Sequence, residues 1–229
     1  MSKKIYVPTK NTEDWRQLLA DPEKHWKDGY SAKSLAECWE NSGNGFPDEI
    51  KKMFAEGHLK LEMLLAIPEY QVCLDPNGHP SQNDIFVLVT SKDKDELGLA
   101  VIMVEGKVNE EFDKIISEWN DSNGKKNRFN FLAKKLEIIE DIALYYDFRY
   151  QLFHRTVSAI LTAEKFYAKK AIMLVQSFSK TDKWFDDYAK FVKMLNADIQ
   201  VQTGKIHKCK TLKSGIDLFV GWVKSSKKN

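Results

Sequence analysis

The fold is decided by residues 83–108, NDIFVLVTSKDKDELGLAVIMVEGKV, in which two apolar runs flank a charged connection. The runs, residues 85–90 and 99–108, have the length and composition of β-strands. Because the connection at residues 91–98 is short and polar, the two runs are predicted to form an antiparallel hairpin. Neither run alternates apolar and polar residues, so both strands are expected at the centre of a sheet that is covered on both faces.

The segments around this hairpin predict an α/β arrangement in one domain over residues 1–229. Residues 59–66 are expected to be helical, and residues 70–74 form a short strand after Pro68. Helical spacing of apolar residues predicts further helices, and two more apolar runs predict strands. The predicted helices lie at 11–21, 31–41, 46–55, 109–147, 149–167 and 182–195, and the further strands at 171–175 and 216–223. A break is expected in the helical segment 109–147 at residues 121–124. Residues 1–30 form an N-terminal helical extension, and residues 224–229 form a solvated tail.

Composition limits the classes of protein. The 35 Lys and Arg nearly balance the 33 Asp and Glu, so the charge neither requires nor excludes a nucleic-acid partner. No apolar run approaches the roughly 20 residues that cross a bilayer, and no signal peptide is visible. Three distant cysteines without a CxxC pair argue against a disulfide framework or a zinc cluster. We therefore expect a cytoplasmic protein that does not bind membranes.

Two acidic residues of the hairpin are predicted to face each other. A regular hairpin with Ser91 opposite Gly98 places Asp84 directly across from Glu105, with Cβ atoms about 5 Å apart. Like charges in such a position are destabilising unless a cation lies between them, and carboxylates are ligands of Mg²⁺. Lys107 lies on the same face as Glu105, where it is suited to orient a water molecule or to stabilise a phosphate. The competing interpretation is ordinary charged residues at strand ends.

The arrangement resembles the PD-(D/E)xK superfamily of restriction-endonuclease-like nucleases. In that superfamily a metal-binding Asp begins the second strand of a meander, as Asp84 does here, and a (D/E)xK triplet ends the third, as Glu105-Gly106-Lys107 does. The position of the motif's proline is occupied by Asn83. Longer patterns around residues 31–40, 104–108 and 149–155 are similar to a bacterial domain family placed near these nucleases.

The resemblance implies a three-layer core of helix, mixed sheet and helix, with additional N-terminal and inserted helices. It also implies an acidic residue from the first core helix, and of the two candidates, Glu37 and Glu40, we favour Glu40. On the long helix that follows, Gln151 and Arg155 share a face and are expected to approach the active edge of the sheet. Arg149 and Arg155 are candidates for phosphate contacts. The alternative for this group is a buried network that ties the helix to the sheet.

The predicted function is a Mg²⁺- or Mn²⁺-dependent nuclease that cleaves DNA, with RNA not excluded, in bacterial defence or a mobile element. Asp84 and Glu105 would hold the metal, and Lys107, Gln151 and Glu40 would complete the catalytic site. The alternative is a non-catalytic module that binds nucleic acid or protein on a nuclease-like fold. Since no separate DNA-binding domain is visible, specificity is expected to come from loops, a homodimer or a recognition partner.

Overall fold

The computed structural model describes residues 5, 9, 11–75, 78–91 and 98–226, and at its centre is a six-stranded mixed sheet in the order β1-β2-β3-β4-β6-β5. The first three strands form an antiparallel meander. Strands β3, β4 and β6 then run parallel, and β5 pairs antiparallel with β6 at the edge. The strands are β1 (Leu61–Val72), β2 (Ser81–Ser91), β3 (Leu99–Lys107), β4 (Lys170–Ser177), β5 (Lys205–Thr211) and β6 (Asp217–Lys224).

The predicted hairpin and its register are confirmed. Ile85 pairs with Val104, Thr90 pairs with Leu99, and the Ser91 N–H donates to the Gly98 carbonyl at 2.9 Å. Residues 92–97 of the predicted connection lie outside the described residues. Strand β2 lies between β1 and β3, and the apolar residues of both hairpin strands are buried on the two faces of the sheet. The continuous apolar runs therefore indicated central, doubly covered strands correctly.

Helices cover both faces and make a three-layer α/β fold. One face packs against α2 and α3, and the other packs against α5, α6 and α7. The helix α6 connects β3 to the parallel strand β4. The α-helices are α1 (Pro22–His25), α2 (Ser31–Glu40), α3 (Asp48–Glu56), α4 (Ile116–Trp119), α5 (Asn123–Leu136), α6 (Tyr150–Lys165) and α7 (Phe185–Leu195), and 3-10 helices cover Thr12–Leu18 and Ile142–Tyr145.

Several sequence predictions of local structure are wrong. Residues 61–66 belong to the edge strand β1 rather than to a helix, and β5 was not predicted. Pro22 begins α1 instead of ending a helix, since proline suits the first helical turn. The expected break near Gly124 is the start of α5, where the Ser122 hydroxyl accepts from the Lys125 N–H. Lys224 ends β6, and residues 227–229 of the expected tail lie outside the described residues.

Gly106 determines how closely α2 approaches the sheet. A Cβ at this position would lie 2.3 Å from Leu35 Cδ1 and 3.0 Å from Ser31 Cβ. Because side chains alternate along a strand, the absence of a side chain at Gly106 brings α2 against one face, while Glu105 and Lys107 project from the other. The middle residue of the ExK triplet is therefore required for packing. Among the described residues, no helix has the length and apolar character needed to cross a membrane.

Candidate active site

Three carboxylates lie side by side on neighbouring strands. The pairs Pro68–Ile85 and Tyr70–Asn83 place Glu69 of β1 across from Asp84 of β2. The pairing of Ile85 with Val104 in turn places Asp84 across from Glu105 of β3. We call Glu69, Asp84 and Glu105 the acidic row. All three line one cavity of about 450 Å³, the acidic cavity, together with Lys107, Gln151 and Arg155.

Glu105 is the most heavily hydrogen-bonded member of the row. Its Oε1 accepts from Lys107 Nζ and from Gln151 Nε2, each at 2.8 Å. Its Oε2 accepts from Arg155 Nε at 2.5 Å. The Lys107 ammonium also donates to Gln151 Oε1 at 2.9 Å and lies 4.9 Å from the centre of the Phe112 ring. Glu105 and Lys107 are each only 3% exposed, so this is a buried ion network.

The other two acids have weaker local partners. Asp84 Oδ2 accepts the Gly106 N–H at 2.8 Å, and Glu69 Oε2 accepts from Gln82 Nε2 at 2.7 Å. Glu69 has a left-handed backbone with φ of 52°, which is unfavourable for a residue with a side chain.

Burial and mutual repulsion oppose ionisation of this pair. Desolvation, followed by the Glu105 carboxylate, raises the pKa of Asp84 to about 7. Desolvation, followed by the Asp84 carboxylate, raises the pKa of Glu69 to about 8. Burial also opposes ionisation of Glu105, but Arg155 and Lys107 outweigh it and the pKa of Glu105 is lowered. The row thus holds three carboxyl groups, and the two cations that bond to it, Lys107 and Arg155, both bond to Glu105.

The remaining polar groups hold Arg155 in place. Arg155 Nη1 donates to Ser81 Oγ at 2.9 Å, and the same hydroxyl lies 2.8 Å from His154 Nδ1. Burial, followed by the charge of Arg155, lowers the pKa of His154 well below its usual value. His154 is therefore a neutral, hydrogen-bonded partner of Ser81 in the described structure.

Two of the residues predicted from the sequence are not in this cavity. Glu40 Oε1 accepts from Trp15 Nε1 at 2.7 Å and from Thr9 Oγ1 at 3.0 Å, which ties the N-terminal segment to α2. The N-terminal end of α2 lines the cavity through Ser31, and Glu40 is about 14 Å further along the helix axis. The predicted site position of Glu40 is corrected accordingly.

Arg149 is likewise engaged elsewhere, although Arg155 on the same helix is in the cavity. Its Nε donates to Asp187 at 2.8 Å, and its Nη1 donates to Glu111 and to the Asp113 carbonyl, also at 2.8 Å. It does not line the acidic cavity. The structure gives Arg149 a role in joining α6 to α7, not a place at a phosphate.

The sequence interpretation missed Glu69 and Glu110. Glu110 lines the acidic cavity and accepts the backbone N–H groups of Ser31, Val108 and Asn109, so it connects the start of α2 to the end of β3. The signal for Glu69 was its position on a strand in register with Asp84. That signal was lost because the preceding residues were assigned to a helix.

Comparison with known proteins gives one match. Residues 8–227 match a family model described as a domain of unknown function, DUF6946. The chain belongs to this family. No curated protein and no solved structure matches it. The acidic row, Lys107, Gln151 and Arg155 all lie within the DUF6946 match.

In this DUF6946 chain, the candidate metal ligands at the acidic cavity are carboxylate oxygens, and they do not form a complete coordination shell. Within the described ranges, no group of three or more His, Cys, Asp or Glu side chains is arranged to hold a metal ion. Each carboxylate oxygen of Glu105 forms an ion pair, Oε1 with Lys107 and Oε2 with Arg155. A carboxylate has about four acceptor sites, and Glu105 uses three for these contacts and for Gln151. Acceptor capacity therefore remains on Asp84 and Glu105.

Proposed function

We propose that this DUF6946 protein is a divalent-metal-dependent phosphodiesterase that cleaves DNA, of the restriction-endonuclease-like type. The observation that carries the proposal is the register of Asp84 with Glu105, with Lys107 on the same face and all three at one cavity. A surplus of carboxylates in a partly buried site lowers stability, and a divalent cation would neutralise it.

The order of elements supports the same type of fold. The helix α2 precedes the meander β1-β2-β3, and α6 then leads to β4, which is parallel to β3. The sequence resemblance predicts this order of helix, three strands, helix and strand. Asp84 lies in β2 and the ExK triplet ends β3, as that resemblance requires.

The residues present fit Mg²⁺ or Mn²⁺ chemically. Both ions take oxygen ligands, and Mg²⁺ usually binds through one or two carboxylates plus water and substrate phosphate rather than in a protein cage. Asp84 and Glu105 would hold the ion, with Glu69 close to Asp84 in the row. The chemistry such an ion supplies is polarisation of a phosphoryl oxygen and a lower pKa for water.

The neighbouring side chains have separable roles in this proposal. The Lys107 ammonium, bonded to Glu105 and Gln151, would orient the attacking water and stabilise charge that develops on the phosphate. Gln151 would hold Lys107 and Glu105 in their relative positions. Arg155 is a positioning residue, because its bond to Glu105 Oε2 fixes the direction in which that carboxylate faces the cavity.

A non-catalytic binding module is the second candidate. It is favoured by one observation, the pairing of Glu105 with two buried cations, which is how a structural ion network is built. In that case Lys107 and Arg155 act only to neutralise Glu105. The two candidates differ in whether Asp84 and Lys107 matter for turnover.

The test is cleavage of single-stranded DNA, duplex DNA and RNA by the wild-type protein and by Asp84→Ala and Lys107→Met, with Mg²⁺, Mn²⁺ or EDTA. We expect metal-dependent cleavage that each variant lowers about 100-fold or more. Asp187→Ala is the matched control, since Asp187 pairs with Arg149 outside the cavity. Wild-type-like cleavage by Asp84→Ala, or no cleavage of any substrate by the wild type, would overturn the proposal.

A further inference from the structure

A second cavity adjoins the acidic one. It has a volume of about 620 Å³, in the range of ligand-binding pockets. Gln82, Gln151 and Arg155 line both cavities, so the two meet at the start of α6. We call it the aromatic cavity, because Trp119 and Tyr150 form part of its wall.

The aromatic wall is rigidly supported. The rings of Trp119 and Tyr150 are stacked with centroids 3.7 Å apart and an angle of 13° between their planes. The Tyr150 hydroxyl accepts from Arg128 Nε at 2.9 Å. Arg128 also donates to the His79 carbonyl at 2.8 Å and pairs with Asp75 at 3.1 Å. Tyr150 is buried while Trp119 is partly exposed, so the indole is the ring presented to a ligand.

Two helix N-termini and the side chains of Lys125 and Arg128 border this wall, together with Asp75 and Asp113. The helices α5 and α6 both begin at the cavity, which is lined by residues of their first turns. Helix N-termini favour anions. Lys125 Nζ lies 5.7 Å from the centre of the Trp119 ring. Its ion pair with Asp121 is exposed and contributes little, so the ammonium can exchange that partner for a phosphate.

We propose that the aromatic cavity binds an unpaired nucleotide of the polynucleotide that is cleaved at the acidic row. The base would stack against Trp119, and Lys125 with the two helix N-termini would hold its phosphate. A base in a duplex is already stacked on both sides, whereas an unpaired or extruded base can use an aromatic platform. This inference rests on the proposed function and specifies its substrate as single-stranded or locally opened nucleic acid.

The experiment measures binding of fluorescein-labelled oligodeoxythymidine of about 12 nucleotides by fluorescence anisotropy, in EDTA to prevent cleavage. We expect Trp119→Ala to weaken binding about tenfold or more, and Trp119→Phe to retain most of the affinity. Lys125→Ala should weaken binding and reduce its salt dependence. Trp184→Ala is the matched control, because Trp184 also lies beside cations but lines neither cavity.

The outcomes separate this inference from the proposed function. Binding through Trp119 without cleavage of any substrate supports the inference and removes the nuclease. Cleavage by wild type with unchanged single-strand binding in Trp119→Ala overturns the inference and keeps the nuclease. Equal losses in Trp119→Ala and Trp184→Ala, or no binding by wild type, also overturn it.

A second measurement applies if Trp119→Ala fails to fold. The quenching of tryptophan fluorescence on binding is then compared between wild type and Trp119→Phe. Quenching that disappears in Trp119→Phe while binding persists supports stacking at this ring, and unchanged quenching contradicts it. A parallel series with oligouridine decides between DNA and RNA.

Discussion

The two faces of the sheet carry different polar networks at the same end of the same strands. On the α2 face, Gln176 bonds to Trp39 Nε1 at 2.9 Å, to Ser225 Oγ at 3.0 Å and to Cys38 Sγ at 3.3 Å. On the α6 face, Glu105 bonds to Lys107, Gln151 and Arg155. Gly106, the residue after Glu105, is in register with Gln176, so the two networks are separated only by the sheet.

The two networks differ in their charge and in whether they line the acidic cavity. The neutral network, formed by Trp39, Gln176, Ser225 and Cys38, consists of uncharged groups. Trp39, Gln176 and Ser225 are buried, and Cys38 is partly exposed. The charged network, formed by Glu105, Lys107, Gln151 and Arg155, lines a cavity with three more acids, Glu69, Asp84 and Glu110. Satisfied neutral groups stabilise a fold, whereas an unbalanced cluster of buried acids lowers stability. Residues retained at such a cost are candidates for function.

The largest expected effect comes from removing one cation of the charged network. Arg155→Met leaves Glu105 with Lys107 as its sole cationic contact in a buried site, and we expect the free energy of unfolding to fall by about 3–5 kcal/mol. Urea denaturation at pH 7 measures it. Combining Arg155→Met with Glu105→Gln should recover about half of the loss, because the uncompensated charge is removed.

The control for that variant is another arginine of the same region. Arg149→Met removes ion pairs to Glu111 and Asp187, but both acids remain accessible to water. Its loss of stability should be about 1 kcal/mol. Equal losses for Arg155→Met and Arg149→Met would show that burial does not distinguish the charged network.

The neutral network should respond less strongly and without dependence on pH. Trp39→Phe removes the donor to Gln176 Oε1 and leaves a buried acceptor without that bond, which costs about 1–3 kcal/mol. The loss should be the same at pH 5 and pH 7, because indole, carboxamide and hydroxyl groups do not ionise in this range. A loss that varied with pH across this range would contradict the distinction between the two faces.

The acidic row should show the opposite behaviour. The pKa of Asp84 is raised to about 7 in the folded protein, against about 4 in an unfolded chain. The folded state therefore binds more protons between these values, and the stability of the metal-free protein falls as the pH rises through that window. Asp84→Asn should raise the free energy of unfolding by about 1–2 kcal/mol at pH 8 in EDTA, and the gain should shrink as the pH is lowered to 5.

A surface aspartate provides the comparison of opposite sign. A hydrogen bond from Lys190 lowers the pKa of Asp147, so its contribution to stability is present at neutral pH and is lost in acid. Asp147→Asn should therefore destabilise the protein slightly at pH 8, where Asp84→Asn stabilises it. Thermal unfolding of both variants over a pH series decides the matter. Destabilisation by Asp84→Asn at pH 8 would contradict the assignment of a buried acid surplus.

The sequence was informative where local pattern and short-range geometry determine the structure. The length of the connection at residues 91–98 set the hairpin register, and the register placed Asp84 across from Glu105. Helical spacing then placed Gln151 and Arg155 on one face, and the structure brings both to Glu105. Each inference required only the periodicity of a strand or a helix.

Features that depend on tertiary pairing were missed. Residues 61–66 are rich in Leu, Glu, Met and Ala, which favour helices, but pairing with β2 makes them a strand. A bulge between Met63 and Leu65 breaks the alternation that would have indicated it. Strand β5 is polar, as edge strands commonly are, and its lysines obscured the pattern.

The smallest expected effect concerns Glu40, which does not line the acidic cavity. The contact of Leu35 and Ser31 with Gly106 sets the position of α2 along its own axis relative to the sheet. The helical periodicity of the sequence does not reveal this contact. That contact places the start of α2 at the cavity and Glu40 beside Trp15 and Thr9. Glu40→Gln keeps an oxygen that accepts both bonds, so cleavage should change by less than about twofold and stability by less than about 0.5 kcal/mol.

Glu69→Gln is the matched substitution in the acidic row. It should lower metal-dependent cleavage about tenfold, because it removes a carboxyl group next to Asp84 that a bound cation would ionise. Side-by-side rates for the two variants decide which acid supports the site. A loss confined to Glu40→Gln would place the site at the other end of α2, whereas a loss confined to Glu69→Gln assigns the third carboxylate to the edge strand. We expect the larger loss in Glu69→Gln because Glu69 lies in register with Asp84, whereas Glu40 does not.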